Sequence, residues 1–208
     1  SWVDGAKQIH DDYEKFVPEW FACNVLSLAS EGKDLRYGAI HTPLELWSPW
    51  LFESPTSRSG KGAGGIGETT GLGEVAGRYP GDRSSIKQLQ KSIPSLLRPN
   101  VLLDILANFT LFATDQKKRR LKIICRYQQY EAANAIVQRV LAGAPKKGLI
   151  WHFQGSGKSL LMVFAAQKLR LQAALRSPTV LIVVDRIDLD AQISATFHAG
   201  DIPNLVKA

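Results

Sequence analysis

The sequence Gly155-Ser156-Gly157-Lys158-Ser159 is the most informative stretch of this chain. It follows a short apolar run at 149–151 and stands at the start of a long helical pattern. Glycines allow the backbone to curl so that several N–H groups converge on one anion, and the positive end of a helix dipole attracts negative charge. Lys158 adds a mobile cation for the β- and γ-phosphates of a nucleotide, and the Ser159 hydroxyl is a ligand for Mg²⁺. The stretch therefore predicts a phosphate-binding loop.

One position departs from the general pattern for such loops, G-x-x-x-x-G-K-[ST]. His152 stands where the first glycine is expected. The alternative is that the pentapeptide occurs by chance in a connecting loop. The predicted order of strand, loop and helix favours phosphate binding, because the loop must lead into the N-terminus of a helix to bind the anion there. His152 itself is interpreted as a scaffold residue without a catalytic role.

The residues around the loop predict alternating strands and helices. Apolar runs predict strands at 149–151 and 179–184, and spacings of three and four residues predict helices at 127–141, 159–175 and 188–197. This order is typical of a parallel sheet that helices cover on both faces. The predicted fold class is therefore α/β, with a partial parallel sheet that carries the phosphate loop.

Charge is distributed unevenly along the chain. The whole chain holds 26 Lys and Arg against 19 Asp and Glu, but residues 1–90 carry a net −3 and residues 91–208 a net +10. This asymmetry points to a polyanionic partner for the second half, although a solvated basic face is the alternative. We expect phosphate contacts with DNA from the residues of one basic turn, which are Lys117, Lys118, Arg119 and Arg120.

Composition excludes several classes of protein. The chain has 208 residues, of which 45% are hydrophobic and 22% charged, as in ordinary globular proteins and unlike collagen-like or disordered chains. No apolar stretch is long enough to span a membrane, and the first residues do not resemble a signal peptide. The two cysteines lie far apart without a C-x-x-C spacing, which argues against a zinc site and favours a reducing cytoplasm.

Three regions are predicted along the chain. Residues 1–52 are dense in aromatic side chains and predict a compact segment, with a short helix at 8–13 and a buried strand at 20–26. Residues 53–85 hold 9 of the 17 glycines and predict a flexible linker. Residues 86–208 form the third region, which carries the phosphate loop. The chain starts without methionine, so we expect it to be a piece of a longer protein.

From Arg126 onward the sequence resembles the restriction subunit of type I restriction-modification enzymes, a superfamily 2 DNA translocase with RecA-like lobes. The segment 151–159 is similar to the family's W-H-T-Q-G-S-G-K-S, in which histidine is the usual residue at the first-glycine position. Residues 126–130 resemble its adenine-reading Q motif, and 185–190 resemble its D-R-x-D-L-D. Residues 1–52 are similar to the end of the family's nuclease domain, although Asp12 stands where its Q-x-x-x-Y element has tyrosine.

The resemblance implies a function for the parent protein, with ATP and Mg²⁺ as cofactors. The parent would be the subunit that translocates and cleaves DNA, a type I site-specific deoxyribonuclease that acts with double-stranded DNA and with modification and specificity subunits. Gln129 would read adenine with support from Arg126, and Arg186 would lie near the DNA. The implied nucleotide-binding residues are Arg126, Gln129, Gln154, Gly155, Ser156, Gly157, Lys158 and Ser159, with Ser159 also the Mg²⁺ ligand.

No complete catalytic site is expected within the chain. By resemblance, the nuclease carboxylates and lysine would precede Ser1, and the Walker B acidic pair and second lobe would follow Ala208. Two alternatives stay open at this point. The chain could be the first lobe of another superfamily 2 helicase, or it could be a non-catalytic DNA-binding fragment.

Overall fold

The computed structural model describes residues 1–32, 34–51, 84–114, 120–185 and 187–199. These residues form mixed α/β structure in two compact units. The first unit takes its described residues from 1–52 and 79–127, and the second takes its described residues from 128–208. The contacts thus group residues 84–127 with the first segment, whereas the sequence analysis placed them at the start of the motor lobe. Residues 53–83 of the predicted linker lie outside the described residues. The domain limits as a whole stay a prediction.

The first unit begins with helical structure. Helix α1 (Trp2–Lys7) continues through a π-helical segment, Gln8–Tyr13, into α2 (Glu14–Phe16). The helix predicted at 8–13 is confirmed as the middle of this longer stretch.

The buried strand predicted at 20–26 is wrong. Pro18–Phe21 form a 3₁₀ helix, and Trp20 within it is 76% exposed. Proline suits the first turn of a helix because its φ is already fixed near the helical value. A short apolar run does not by itself distinguish helix from strand, which explains the error.

Three short antiparallel strands follow in the first unit. Strand β1 (Ser27–Ser30) pairs with β2 (Leu35–Gly38), which pairs with β3 (Ser48–Pro49). The indole of Trp47 packs so closely on Gly38 that a Cβ at that position would overlap it. Trp47 forms the core of this part of the unit, where it packs with Ala6, Ala29, Trp2, Ile9 and Leu44.

The rest of the first unit is a helix pair and a hairpin. Helices α3 (Ser84–Leu96) and α4 (Pro99–Asn108) precede strand β4 (Thr110–Thr114), which pairs antiparallel with β5 (Arg120–Ile124). The apolar run at 101–109 predicts a helix and the one at 122–125 predicts a short strand, and α4 and β5 confirm both within about two residues. Strand β4 was not predicted.

An aromatic cluster of Tyr37, Trp50 and Tyr127 lies in the interior of the first unit. The ring of Trp50 makes edge contacts with both tyrosines, at centroid distances of 5.8 Å to Tyr37 and 5.1 Å to Tyr127. The Tyr37 hydroxyl donates to the carbonyl of Cys125 at 2.6 Å, and the Trp50 indole N–H donates to Ser95 Oγ at 3.0 Å. Burial raises the pKa of Tyr37 well above its usual value.

A buried carboxylate joins the first helical stretch to a turn. The Glu14 side chain is 2% exposed, and its Oε2 lies 3.0 Å from Nδ1 of both His10 and His41. The backbone N–H of His41 also donates to Glu14, at 3.1 Å. His41 adopts a left-handed conformation with φ of 59°, and these hydrogen bonds hold it there.

The described residues of the second unit form three α-helices. They are α5 (Tyr127–Ala142, whose first residue lies in the first unit), α6 (Lys158–Arg170) and α7 (Ile187–Ala199). All three were predicted, although α6 ends at Arg170 rather than at Leu175, and a 3₁₀ turn follows. Lys168 Nζ on α6 donates to Asn134 Oδ1 on α5 at 2.6 Å. Helix α6 also contacts α7.

The strands predicted at 149–151 and 179–184 are not formed in this structure. Neither segment forms a strand in the described residues, and Leu181 and Val183 are 83% and 82% exposed. A strand needs hydrogen-bonded neighbours, and no described segment pairs with either. The mixture of helices and small sheets agrees with the coarse α/β class, but both sheets that the described residues form are antiparallel, so the predicted parallel sheet is not shown.

Two further properties bear on function. No helix within the described part of the chain is long and apolar enough to cross a membrane. Neither cysteine of the chain forms a disulfide bond, and Cys23 is exposed whereas Cys125 is buried.

Candidate functional site: the phosphate loop

The predicted phosphate loop, residues 152–159, lies directly before α6. The Ser156 N–H donates to the carbonyl of Phe153 at 3.3 Å and closes a tight turn. Gly155 and Gly157 both have φ of 82°, in the left-handed region where glycine has no Cβ penalty. Gly157 is the N-cap of α6, so the loop ends at the positive end of the helix dipole. The two glycines therefore adopt the backbone conformation that the sequence predicted them to supply.

The side chain of Lys158 folds back over this loop. Its Nζ donates to the carbonyl oxygens of His152 and Phe153, at 3.2 and 3.0 Å. The cation therefore lies against the loop backbone, within reach of an anion that the loop would hold. Ser159 is the second residue of α6 and is half-buried, so its hydroxyl lies on the first helical turn, and its role as a Mg²⁺ ligand stays a prediction.

Two polar atoms of the loop are buried without a partner in the described residues. They are Ser156 Oγ, in a residue that is fully buried, and Nδ1 of His152. Burial and the neighbouring Lys158 lower the pKa of His152, which favours the neutral imidazole. Buried polar atoms are normally hydrogen-bonded, so these two leave hydrogen-bonding capacity unused at the loop. Sequence reasoning treated His152 as scaffold only and did not single out the Ser156 hydroxyl for this property.

Gln129 reaches the same loop from α5. Its side chain is buried, and Nε2 donates to the carbonyl of Gly157 at 2.9 Å and to that of Ser156 at 3.5 Å. Gln129 is predicted to lie near the nucleotide, and in the structure it lies at the phosphate loop. Arg126 is half-buried and precedes α5 in the first unit. The adenine-reading role of these two residues stays a prediction.

The predicted DNA-contacting residues are only partly described. Lys117, Lys118, Arg119 and Arg186 lie outside the described residues. Arg120 is exposed at the start of β5, where its guanidinium lies 5.4 Å from the centroid of the Phe112 ring. Gln154 is exposed beside Gly155. Among the described residues there is no group of three or more His, Cys, Asp or Glu that could hold a metal ion.

Comparison with known proteins identifies relatives of the chain. The SWI2/SNF2 ATPase family matches residues 128–208. The HindI type I restriction endonuclease subunit of Haemophilus influenzae is 31% identical over 195 residues, which cover 91% of this chain and 16% of that protein. The SauCOLORF180P type I restriction endonuclease subunit of Staphylococcus aureus is 32% identical over 113 residues, which cover 54% of this chain and 12% of that protein.

These comparisons confirm the resemblance found in the sequence. A protein of Methanocaldococcus jannaschii, provisionally named the type I restriction enzyme MjaVIIP endonuclease subunit, is 38% identical over 120 residues, 54% of this chain and 11% of that protein. The chain spans about a sixth of the length of its Haemophilus influenzae relative (16%). No solved structure matches the chain.

Proposed function

We propose that this chain, a homologue of type I restriction endonuclease subunits, binds ATP–Mg²⁺ at residues 152–159 as part of an ATP-dependent DNA translocase. The observation that carries the proposal is the geometry of the loop. Two left-handed glycines, a helix N-terminus and the folded-back Lys158 converge on one short segment. Each of these features favours an anion, and their combination matches what a triphosphate requires.

The residues of the loop fit a nucleotide with its metal ion. The N–H groups at the start of α6 and the Lys158 ammonium would hold the phosphates, and the half-buried Ser159 hydroxyl would be a ligand of Mg²⁺. The buried Ser156 hydroxyl and His152 Nδ1 have hydrogen-bonding capacity left for a polar ligand. When bound, Mg²⁺ neutralises charge on the phosphates. Lys158 must exchange its carbonyl partners for phosphate oxygens, which the length and flexibility of its side chain allow.

We also propose that the second unit belongs to a RecA-like lobe with a parallel sheet. The match to SWI2/SNF2 ATPases over residues 128–208 supports this fold. The exposed apolar side chains at 149–153 and 180–183 would be buried by neighbouring strands, among them Trp151, Phe153, Leu181 and Val183. A segment that is apolar on both faces is stable as a strand only when both faces are covered.

The parent protein, in this proposal, cleaves DNA as a type I site-specific deoxyribonuclease together with modification and specificity subunits. The names of the relatives support this role. Another superfamily 2 motor is the second candidate, because the family that matches residues 128–208 is described by its ATPase alone. The two candidates differ in whether the purified parent protein cuts DNA when it is supplied with ATP.

The experiment that tests nucleotide binding compares two lysine variants. Lys158→Ala removes the cation of the loop, and we expect it to abolish binding of Mg²⁺–ATP in a calorimetric titration. Lys146→Ala removes an exposed lysine outside the loop and should leave the affinity unchanged. Equal affinities for the two variants would disprove the site. For the chain by itself, ATP turnover is expected to stay at the background rate, which a phosphate-release assay measures.

DNA binding by the basic turn is tested through its salt dependence. Replacement of Lys117, Lys118, Arg119 and Arg120 by alanine should weaken binding to all DNA sequences. The slope of log K against log salt should decrease by about 0.9 for each lost phosphate contact. The control is a variant in which Lys146 and Lys147, two exposed lysines outside the turn, are replaced by alanine. An unchanged slope in the fourfold variant would mean that the turn is only a solvated basic surface.

A further inference from the structure

One face of the β4–β5 hairpin carries an exposed aromatic ring and two cations. Side chains alternate between the two faces of a strand, and residues directly opposite each other in an antiparallel pair share a face. Phe112 lies opposite Lys122, and Arg120 is two residues from Lys122 in β5, so these three side chains share one face. Leu111 on the other face is 5% exposed, whereas Phe112 is 52% exposed. The face of Phe112, Arg120 and Lys122 is therefore the outer face of the hairpin.

The two cations of the outer face have no acidic partner in the described part of the chain. Neither strand contains Asp or Glu, and no described carboxylate forms an ion pair with Arg120 or Lys122. The half-buried Lys122 donates from Nζ to the neutral carbonyl of Asn24 at 2.6 Å. Burial lowers the pKa of Lys122, because it disfavours the charged form. An anion beside this face would supply the missing negative charge.

Arg120 lies over the ring of Phe112. Its guanidinium carbon is 5.4 Å from the ring centroid, and both side chains are exposed. The face of an aromatic ring attracts a cation, and a guanidinium carries its N–H donors in its own plane, where phosphate oxygens can accept from them. An arginine that is already held in place loses less conformational freedom when it binds an anion.

We propose that the outer face binds the phosphate backbone of double-stranded DNA through Arg120 and Lys122, and that Phe112 is the positioning residue for Arg120. This inference rests on the DNA binding proposed above, and it extends the contact from the basic turn onto the strands. The polar groups of the three side chains are hydrogen-bond donors only, which suits phosphate oxygens because these only accept.

The competing role of Phe112 is stacking on an unpaired base. Exposed aromatic rings beside basic side chains bind single-stranded nucleic acid in this way. Stacking would favour single-stranded over double-stranded DNA, and it would not require Arg120. Positioning acts only through Arg120, so the two roles differ in what happens when Arg120 is absent.

The test measures the binding of the full chain to a short DNA duplex, and to a single strand of the same length, by fluorescence anisotropy over a series of salt concentrations. The variants are Phe112→Leu, Phe112→Tyr, Arg120→Gln, Lys122→Gln and the double variant that combines Phe112→Leu with Arg120→Gln. The matched control is Phe16→Leu, because Phe16 is 79% exposed in the same unit. Thermal unfolding of every variant separates weaker binding from loss of the fold.

The expected results follow from the separate roles of charge and ring. Arg120→Gln and Lys122→Gln should each decrease the slope of log K against log salt by about 0.9. Phe112→Leu should weaken duplex binding about two- to fivefold, which corresponds to one exposed cation–π contact. Phe112→Tyr keeps a ring and should bind like the wild type, as should Phe16→Leu. Once Arg120→Gln is present, Phe112→Leu should have no further effect.

Several results would overturn the inference. Unchanged salt slopes in both cation variants would remove the outer face from the DNA contact. A loss in Phe112→Leu that persists in the double variant, or that is larger for the single strand, would assign the ring to base stacking. Equal affinities of Phe112→Leu and Phe16→Leu would leave the ring without a role in binding. If the wild-type chain binds neither DNA, the DNA binding proposed above itself fails.

Discussion

The aromatic cluster of the first unit and the phosphate loop of the second differ in how their polar groups are satisfied. In the cluster, the Tyr37 hydroxyl and the Trp50 indole N–H both donate to groups of the same unit. In the loop, Ser156 Oγ and His152 Nδ1 are buried without a partner among the described residues. These two donors of the cluster are thus satisfied within their own unit, whereas two polar atoms of the loop retain unused hydrogen-bonding capacity. Changes in the cluster should therefore affect stability, and changes in the loop should affect binding as well.

The largest expected effect on stability is at Trp50. Its ring contacts both tyrosines of the cluster and is 4% exposed, so Trp50→Ala leaves a cavity and should cost about 3–5 kcal/mol of unfolding free energy. Trp20 is 76% exposed, and Trp20→Ala should change stability by less than about 0.5 kcal/mol. Urea denaturation of both variants measures the difference. Similar losses would show that the cluster does not stabilise the unit.

The two glycines of the phosphate loop provide a matched pair. Both have φ of 82°, so alanine at either position pays about 1–2 kcal/mol for a left-handed conformation. At Gly157 the new methyl group also overlaps Gln129, which should add about 1–3 kcal/mol, whereas at Gly155 it meets open space. Calorimetric titration with Mg²⁺–ATP should show a weaker affinity for Gly157→Ala than for Gly155→Ala. The reverse order would contradict the contact between Gln129 and Gly157.

The hydrogen bond of the Tyr37 hydroxyl is expected to make a smaller contribution to stability than the Trp50 ring. Tyr37→Phe removes the donor to the Cys125 carbonyl and should cost about 1–3 kcal/mol. Because burial raises the pKa of Tyr37 above its usual 10.0, the folded state retains the proton in a range where the unfolded state loses it. Stability should therefore decrease as pH rises above 10.0 in the wild type, and this dependence should be weaker in Tyr37→Phe. Denaturation measured on both sides of that pH checks the sign.

The smallest expected effect is the pH response of the loop. The pKa of His152 is lowered from 6.5 by burial and then by Lys158, so the unfolded state binds the proton more tightly than the folded state. Stability should therefore fall as pH decreases below 6.5. His152→Gln should remove this dependence, while His198→Gln, at an exposed position of α7, should retain it. An identical dependence of stability on pH in the wild type and in both variants would exclude His152 as the group responsible.

Local patterns predicted the helices and the loop of the second unit. The apolar residues whose spacing predicts α5, α6 and α7 lie within the helix that each spacing predicts. The glycines and Lys158 of the loop lie within four consecutive residues. These features could be read from the sequence because a helix makes its hydrogen bonds within one segment.

Features that depend on distant partners were not predictable in the same way. The apolar segments 149–151 and 179–184 have the composition of strands, but a strand forms only with neighbours that its own sequence does not specify. The contact between Gln129 and Gly157 joins residues 28 apart, and Tyr37 meets the Cys125 carbonyl across 88 residues. The sequence showed that residues 1–52 are rich in aromatic side chains, but not that Trp50 packs against Tyr127.

The different burial of the two cysteine side chains allows thiol modification to measure local opening of the chain. Cys23 is exposed, whereas the Cys125 side chain is fully buried beside the carbonyl that Tyr37 holds. A thiol reagent should modify Cys23 at once and should reach Cys125 only when the first unit opens. The slow phase of modification therefore measures the opening equilibrium of that unit without any introduced label. Because Cys23 reacts independently in the same molecule, it serves as the internal standard for each reaction.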